Sequence, residues 1–199
     1  MKMDICQENC AQIRKLVENI STDLQCLEKL LQDNNIQKVS IRFPRKVIRI
    51  AKYFRARLDF INDDILRTNI AYHLMLSDVY RWILNRFDIA LTAKELLIKE
   101  GISLMGNIIE AVITHIARNF MSNPKDRIGF KKACTILVEN EIITTELKEN
   151  LMWVWGMRCK EHLSNLRTAE YKKYELQHYN KTIKIWHEFE NMLKQKIKN

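Results

Sequence analysis

The longest helical pattern in the chain covers residues 92–121, TAKELLIKEGISLMGNIIEAVITHIARNFM. Its apolar residues recur at spacings of three and four on two sides, which is the pattern of a central, largely buried helix. A capping box formed by Thr92 and Glu95 marks its predicted start, and Ser122-Asn123-Pro124 marks its end. The third side of this helix carries four polar residues: Ser103, Asn107, Glu110 and Thr114.

Helical spacing also predicts the elements on either side. Near the N-terminus, apolar residues at spacings of four and three form an a/d seam on a helix that ends near residues 33–35. The seam is typical either of a helix packed on a core or of a dimer interface. Its members are Ile13, Val17, Ile20, Leu24, Leu27 and Leu31.

Further helices are predicted at 45–58, 64–88 and 125–140, after Thr144 or Thr145, and from Thr168 to the C-terminal tail. Asn62-Asp63-Asp64 is the predicted cap of the helix at 64–88, and Thr144 or Thr145 is the predicted cap of the helix that begins there. The chain has only four Gly and two Pro in 199 residues, and strand-type alternation is absent. We therefore predict an all-α helical bundle. Its division is placed near residue 90, between an N-terminal helical region, 1–90, which contains the basic helix 45–58, and a C-terminal four-helix part, 91–199.

The excess of positive charge is concentrated in one window. The formal net charge is +9, and residues 36–58 hold eight Lys and Arg with no Asp or Glu. Such a strip attracts RNA phosphates, an anionic membrane surface or an acidic protein, and it is also compatible with a solvated helix face. The candidate RNA-binding residues are Arg45, Lys46, Arg49, Lys52, Arg55 and Arg57.

Several functional classes are disfavoured. No run of about 20 apolar residues is present, so we predict no membrane span, and five scattered cysteines favour a reducing, cytoplasmic location. Four glycines build neither a P-loop nor a dinucleotide fingerprint. Cys6 and Cys10 lie four residues apart without a second ligand pair, so we predict no metal and no cofactor.

One pair of residues suggests a chemistry. Arg158 and His162 lie four apart on one predicted helix, so their side chains lie one turn apart on the same side. A guanidinium that binds phosphate and an imidazole that transfers protons are the groups needed to cleave a phosphodiester without metal. The spacing alone is equally typical of a structural pair on a helix surface.

Three segments together resemble a HEPN domain (higher eukaryotes and prokaryotes nucleotide-binding). They are GISLMGNIIE at 101–110, ENEII at 139–143, and LMWVWGMRCKEHL at 151–163. With the helix that follows, the resemblance covers about half of the chain. The points of likeness are a long first helix with an Ile-Ile-Glu turn, a short helical hairpin, a helix with Arg and His near its C-terminal end, and a long final helix.

The resemblance implies a metal-independent endoribonuclease of the toxin or phage-defence type, in which the ribose 2′-hydroxyl attacks its own phosphate. Arg158 would stabilise the charge on the phosphoryl oxygens, and His162 would act as general acid or base. Glu110 would orient one of them. The resemblance also implies a homodimer, with an antitoxin or other protein as a further possible partner.

The chain departs from the family pattern at two points. Cys159 stands where the family usually has Asn, and three residues rather than four to six separate Arg158 from His162. The resemblance therefore leaves open a noncatalytic module that binds RNA or a protein through the basic strip. A cationic protein that lies on a membrane surface is a third and less favoured interpretation.

Overall fold

The computed structural model describes residues 2–34, 40–159 and 173–197, with side chains from residue 9 onward except at residue 34. Within these ranges all regular structure is helical and no strand occurs. The prediction of an all-α fold is confirmed. The elements are α1 Lys2–Asn34, a 3₁₀ turn Arg45–Val47, α2 Ala51–Arg57, α3 Asp64–Arg86, α4 Leu91–Arg118, α5 Phe130–Glu139, α6 Thr145–Arg158 and α7 Leu176–Lys196.

The chain forms two compact units, Met1–Phe43 and Pro44–Asn199. The division therefore falls after Phe43, whereas the sequence placed it near residue 90. The reason is that α3 and α4, on either side of residue 90, pack against each other within the core of the second unit.

The first unit consists of α1 and the residues that follow it. The a/d seam predicted from sequence lies along this helix, which ends at Asn34 as expected. The seam residues Ile13, Val17 and Ile20 are more than half exposed, with exposed fractions of 59%, 56% and 56%.

In the second unit α4 occupies the centre, because α3, α5, α6 and α7 all pack against it. This agrees with the two apolar sides of its sequence. Apolar side chains from every helix of the unit complete the core. The fully buried residues of α4 include Ile102, Met105, Ile108, Ile109, Val112, Ile113 and Ile116.

Two of the three predicted helix caps are present. The Asp63 carboxylate accepts a hydrogen bond from the backbone N–H of Leu66 at the start of α3. Thr144 Oγ1 caps α6 in the same way. The capping box predicted for α4 is wrong: the helix begins at Leu91, and the Glu95 carboxylate instead accepts from the backbone N–H of Lys173.

The basic helix predicted over 45–58 is two short helices with an extended break between them. Ile48 and Ile50 adopt extended backbone angles, and the backbone N–H of Arg49 donates to Asp78 Oδ2 at 2.9 Å. The Arg49 guanidinium donates to the same carboxylate, which is buried on α3. This long-range bond replaces the helical hydrogen bond that Arg49 would otherwise make.

None of the helices in the described ranges is both long enough and apolar enough to cross a membrane.

Candidate functional site

The structure brings together two of the three predicted catalytic residues. Arg158 is the last residue of α6, and its Nε donates to Asn107 Oδ1 at 2.9 Å on α4. Its Nη2 lies 3.2 Å from Glu110 Oε2, one helical turn further along. The end of α6 thus places a cation at the polar side of α4, although Glu110 and Arg158 are 48 positions apart in the sequence.

Gly106 allows this close approach. A Cβ atom built on Gly106 would lie 2.8 Å from Arg158 Cβ and 3.0 Å from Arg158 Cγ. Any side chain at this position would therefore have to displace Arg158, and with it the end of α6. The absence of a Cβ at Gly106 places the stem of Arg158 directly against the α4 backbone, within reach of Asn107 and Glu110.

Asn107 and Glu110 also line an open cleft, which we call the α4 cleft. Its remaining polar lining comes from the next turns of α4, and Leu66 of α3 closes one side. The cleft combines one carboxylate, one cation, one imidazole and two uncharged polar groups, which is a set able to bind and polarise a phosphate ester. Its lining residues are Leu66, Asn107, Glu110, Ala111, Thr114, His115 and Arg118.

His115 is the imidazole of this cleft and is half-buried. Burial lowers the pKa of His115 below its usual value, with the Arg118 guanidinium acting in the same direction and Asp63 opposing it. Since the neutral form is favoured, His115 can accept a proton at neutral pH.

The predicted catalytic residue His162 lies outside the described residues, which end at Cys159 and resume at residue 173. Cys159 is half-buried and forms the C-cap of α6. The site that can be described therefore consists of Arg158, Glu110 and the α4 cleft.

The six predicted RNA-binding residues divide into two groups. Arg49, Arg55 and Arg57 form ion pairs with Asp78, Asp64 and Glu190, respectively. The second group is Arg45, Lys46 and Lys52, which are exposed. Among the described residues, none forms an ion pair with any of these three.

Two of the three ion pairs are part of the core. The carboxylates of Asp78 and Glu190 are each 2% exposed, and charged groups so deeply buried require partners. The centroid of the Tyr53 ring lies 5.3 Å from the guanidinium carbon of Arg49 and 5.6 Å from that of Arg57. The acidic partners come from α3 and α7, so the sequence window alone exaggerated the charge available to a ligand.

Sequence analysis missed Asn107 and His115 as site residues. Asn107 lies three residues before Glu110 on the polar side of the central helix, so helical spacing was a sufficient signal for it. His115 lies five residues after Glu110, about 140° around the helix, so spacing from Glu110 gave no signal for it. Among the described residues no three His, Cys, Asp or Glu side chains converge in a group that could hold a metal ion.

Comparison of the chain with family models, with curated proteins and with solved structures finds no match.

Proposed function

We propose that this protein is a metal-independent endoribonuclease that cleaves RNA at the α4 cleft. The observation that carries the proposal is the contact of Arg158 with Asn107 and Glu110 at the edge of that cleft. Two residues chosen from sequence for one reaction, from helices far apart in the chain, lie within 3.2 Å of each other. The resemblance to HEPN domains supports the same reaction.

The reaction needs a phosphate clamp and two proton transfers. Arg158 binds the scissile phosphate and stabilises the negative charge that grows on its oxygens, because a guanidinium presents five N–H donors in a planar fork. Glu110 acts as a positioning residue, since its carboxylate holds the guanidinium at the cleft. When an RNA phosphate enters, the guanidinium turns one edge toward it.

The chemical step is an internal transfer of the phosphoryl group. The ribose 2′-oxygen attacks the adjacent phosphorus and loses its proton to a base, while the bond to the 5′-oxygen breaks and that oxygen receives a proton from an acid. The products are a 2′,3′-cyclic phosphate and a 5′-hydroxyl. His162 fills one of the proton-transfer roles by resemblance, and His115 lines the cleft as an imidazole that its lowered pKa keeps unprotonated.

Substrate RNA is attracted by the exposed cations Arg45, Lys46 and Lys52, which supply affinity without sequence preference. We place the protein in the cytoplasm, as a homodimeric toxin or phage-defence effector that an antitoxin protein could restrain. These roles rest on the resemblance to HEPN domains.

The test is cleavage of end-labelled mixed tRNA and mRNA in EDTA. We expect wild-type protein to cut RNA and to leave 2′,3′-cyclic phosphate ends, and Arg158→Ala to lose at least 100-fold in rate, as is typical for one stabilising donor (~10²–10³). His162→Ala and His115→Ala identify the histidine that acts. Arg127→Ala is the matched control, because Arg127 is exposed and does not line the cleft. Wild-type protein that leaves RNA intact, or variants that cut equally well, would contradict the proposal.

A noncatalytic module that binds RNA or a protein is the second candidate. The observation in its favour is that Asn107 and Glu110 already bind the Arg158 guanidinium, as expected of a residue that joins α4 to α6. This candidate predicts salt-dependent RNA or partner binding without cleavage, and unchanged binding in Arg158→Ala.

A further inference from the structure

We propose that the apolar seam of α1 pairs with the same seam of a second copy of this chain as an antiparallel two-stranded coiled coil. The seam follows a heptad pattern in which the a and d positions are all apolar from residue 13 to residue 31. The seam belongs to the first unit and the α4 cleft to the second, and the pairing does not depend on the proposed function. The a residues are Val17, Leu24 and Leu31, and the d residues are Ile13, Ile20 and Leu27.

The exposure of the seam argues for a partner. Ile13, Val17 and Ile20 are each more than half exposed, and Leu16 and Leu30, at the flanking g positions, are 53% and 57% exposed. The other seam residues, Leu24, Leu27 and Leu31, are half-buried, so the exposed part of the seam is its N-terminal half. Exposed apolar residues in a stripe mark interaction surfaces. From residue 13 to residue 31 the seam is about 27 Å long, at ~1.5 Å per residue. This length is close to the diameter of a small domain.

One antiparallel register uses the whole seam. If each a residue faces a d residue of the second copy, Ile13 packs near Leu31, Val17 near Leu27 and Ile20 near Leu24. A shift of one heptad in either direction places two seam residues of each copy opposite residues outside the seam, such as Leu27 opposite Cys10. Among the antiparallel registers, this symmetric one therefore pairs all six seam residues of both helices with one another.

The flanking charges choose between antiparallel and parallel pairing. In the antiparallel register the e residues Arg14 and Glu28 of opposite copies lie side by side, twice per dimer, and Leu16 lies beside Leu30. The g residue Asp23 meets its own symmetry mate once. In a parallel pair Asp23 faces Glu28 of the second copy twice, so like charges are repeated and the two leucines are separated.

The test uses cysteine pairs in the full-length chain, in a background that carries Cys6→Ser, Cys10→Ser and Cys26→Ser. Neither Ile20→Cys nor Leu24→Cys should crosslink alone, because each faces the other position. An oxidised mixture of the two variants should give a covalent dimer, because disulfides form only between closely spaced Cα atoms. The background protein without either new cysteine is the control for crosslinks through Cys134 and Cys159.

Native Cys10 provides a second readout, because it occupies an a position. A parallel pair would place Cys10 of one copy against Cys10 of the other. We expect no dimer linked through Cys10 in oxidised wild-type protein. Crosslinking of Ile20→Cys alone would show parallel pairing and overturn the proposal. The absence of any crosslink in the mixture would overturn it as well, and would leave a partner protein or a membrane surface as the occupant of the seam.

Solution mass gives an independent check. By sedimentation equilibrium, Ile20→Glu should raise the dissociation constant of the α1 pairing at least tenfold, whereas Thr22→Glu, on the outer face of the same helix, should leave it unchanged. Because the crosslinks report α1 alone, a second interface elsewhere in the chain does not confuse the result. RNA cleavage tests the proposed function separately, since Arg158→Ala should leave the α1 crosslink intact.

Discussion

Two arginine–glutamate pairs connect distant helices of the second unit, and they differ in burial. Arg57 on α2 is 25% exposed and pairs with Glu190 on α7, whose side chain is 2% exposed, so the difference lies in the carboxylate. Arg158 on α6 pairs with Glu110 on α4, and both side chains reach solvent, with exposed fractions of 27% and 35%. The buried carboxylate is part of the core, whereas under the proposed function the accessible pair exchanges its partner for an anionic ligand.

The surroundings of the two carboxylates explain this difference. Burial alone would raise the pKa of Glu190, but contacts with His187, Arg57 and Lys194 outweigh it and lower the pKa to about 2. Lys194 Nζ lies 2.7 Å from Glu190 Oε1. A carboxylate held by several cations in the core stays charged and fixed, whereas Glu110 lies at an open cleft with one such partner among the described residues.

The largest stability effect should follow removal of the buried charge. Glu190→Gln leaves Arg57 and Lys194, whose side chains are 25% and 27% exposed, without their carboxylate. We expect a loss of about 3 kcal/mol in the free energy of unfolding, which is the scale that the lowered pKa of Glu190 implies. Urea unfolding followed by circular dichroism measures the change.

Glu110→Gln is the matched control, because it makes the same substitution in the accessible pair. Its expected cost is at most about 1 kcal/mol, as for ion pairs exposed to solvent. Equal destabilisation by the two substitutions would remove the distinction between the pairs.

Acid should weaken the same buried pair. Because the folded-state pKa of Glu190 is about 2, below the usual value of 4.5, its contribution is fully present above about pH 4.5 and is lost as the pH falls toward 2. The total is on the order of 3 kcal/mol. The difference in unfolding free energy between wild type and Glu190→Gln should therefore shrink from pH 6 to pH 2. A difference that stays constant over this range would contradict the assignment.

A smaller effect should follow from filling the space at Gly106. The added methyl of Gly106→Ala meets Arg158 Cβ, which is fixed to the α6 backbone, so the end of α6 must move. We expect a net loss of about 1–2 kcal/mol, since overpacking costs about 1–3 kcal/mol and the helix preference of alanine returns part of it. Under the proposed function, RNA cleavage should fall as well.

Gly156→Ala is the control for helix preference. Nothing lies within 4 Å of a Cβ built on Gly156, which is also helical. This variant should be stabilised by about 0.5–1 kcal/mol, by the same unfolding measurement. If Gly106→Ala proves equally stabilising, the close approach of α4 and α6 does not hold Arg158 in place.

Much of the fold was predictable because it depends on local patterns. Spacings of three and four located α1, α3, α4 and α6, and the caps Asp63 and Thr144 followed from residue type. The capping box at Thr92 was wrong, since Glu95 binds the backbone of Lys173 instead. The continuous helix at 45–58 was also wrong, because Arg49 binds Asp78 at a separation of 29 residues. No local pattern records such a bond.

The sequence selected two of the candidate residues that the structure brings together, but it did not give their geometry. Residue chemistry and the HEPN resemblance selected Arg158 and Glu110, but their contact depends on how closely α4 and α6 pack at Gly106. That distance is set by the whole core rather than by spacing along one helix. In the same way, the count of cations at 45–57 could not show that buried carboxylates on other helices neutralise Arg49 and Arg57.

The smallest expected effect is a change in RNA binding when the exposed lysines of the basic segment are removed. Lys46 and Lys52 are exposed, so each can bind one phosphate of RNA, whereas Arg57 is committed to Glu190. The double variant Lys46→Ala/Lys52→Ala should weaken RNA binding and reduce the slope of log affinity against log salt by about 1.4, at ~0.7 per contact with a single strand. The control is Lys131→Ala/Lys132→Ala, which removes two exposed lysines of α5. An equal change in slope for both double variants would mean that RNA responds to net charge alone, and that the exposed part of the basic segment is not a binding surface.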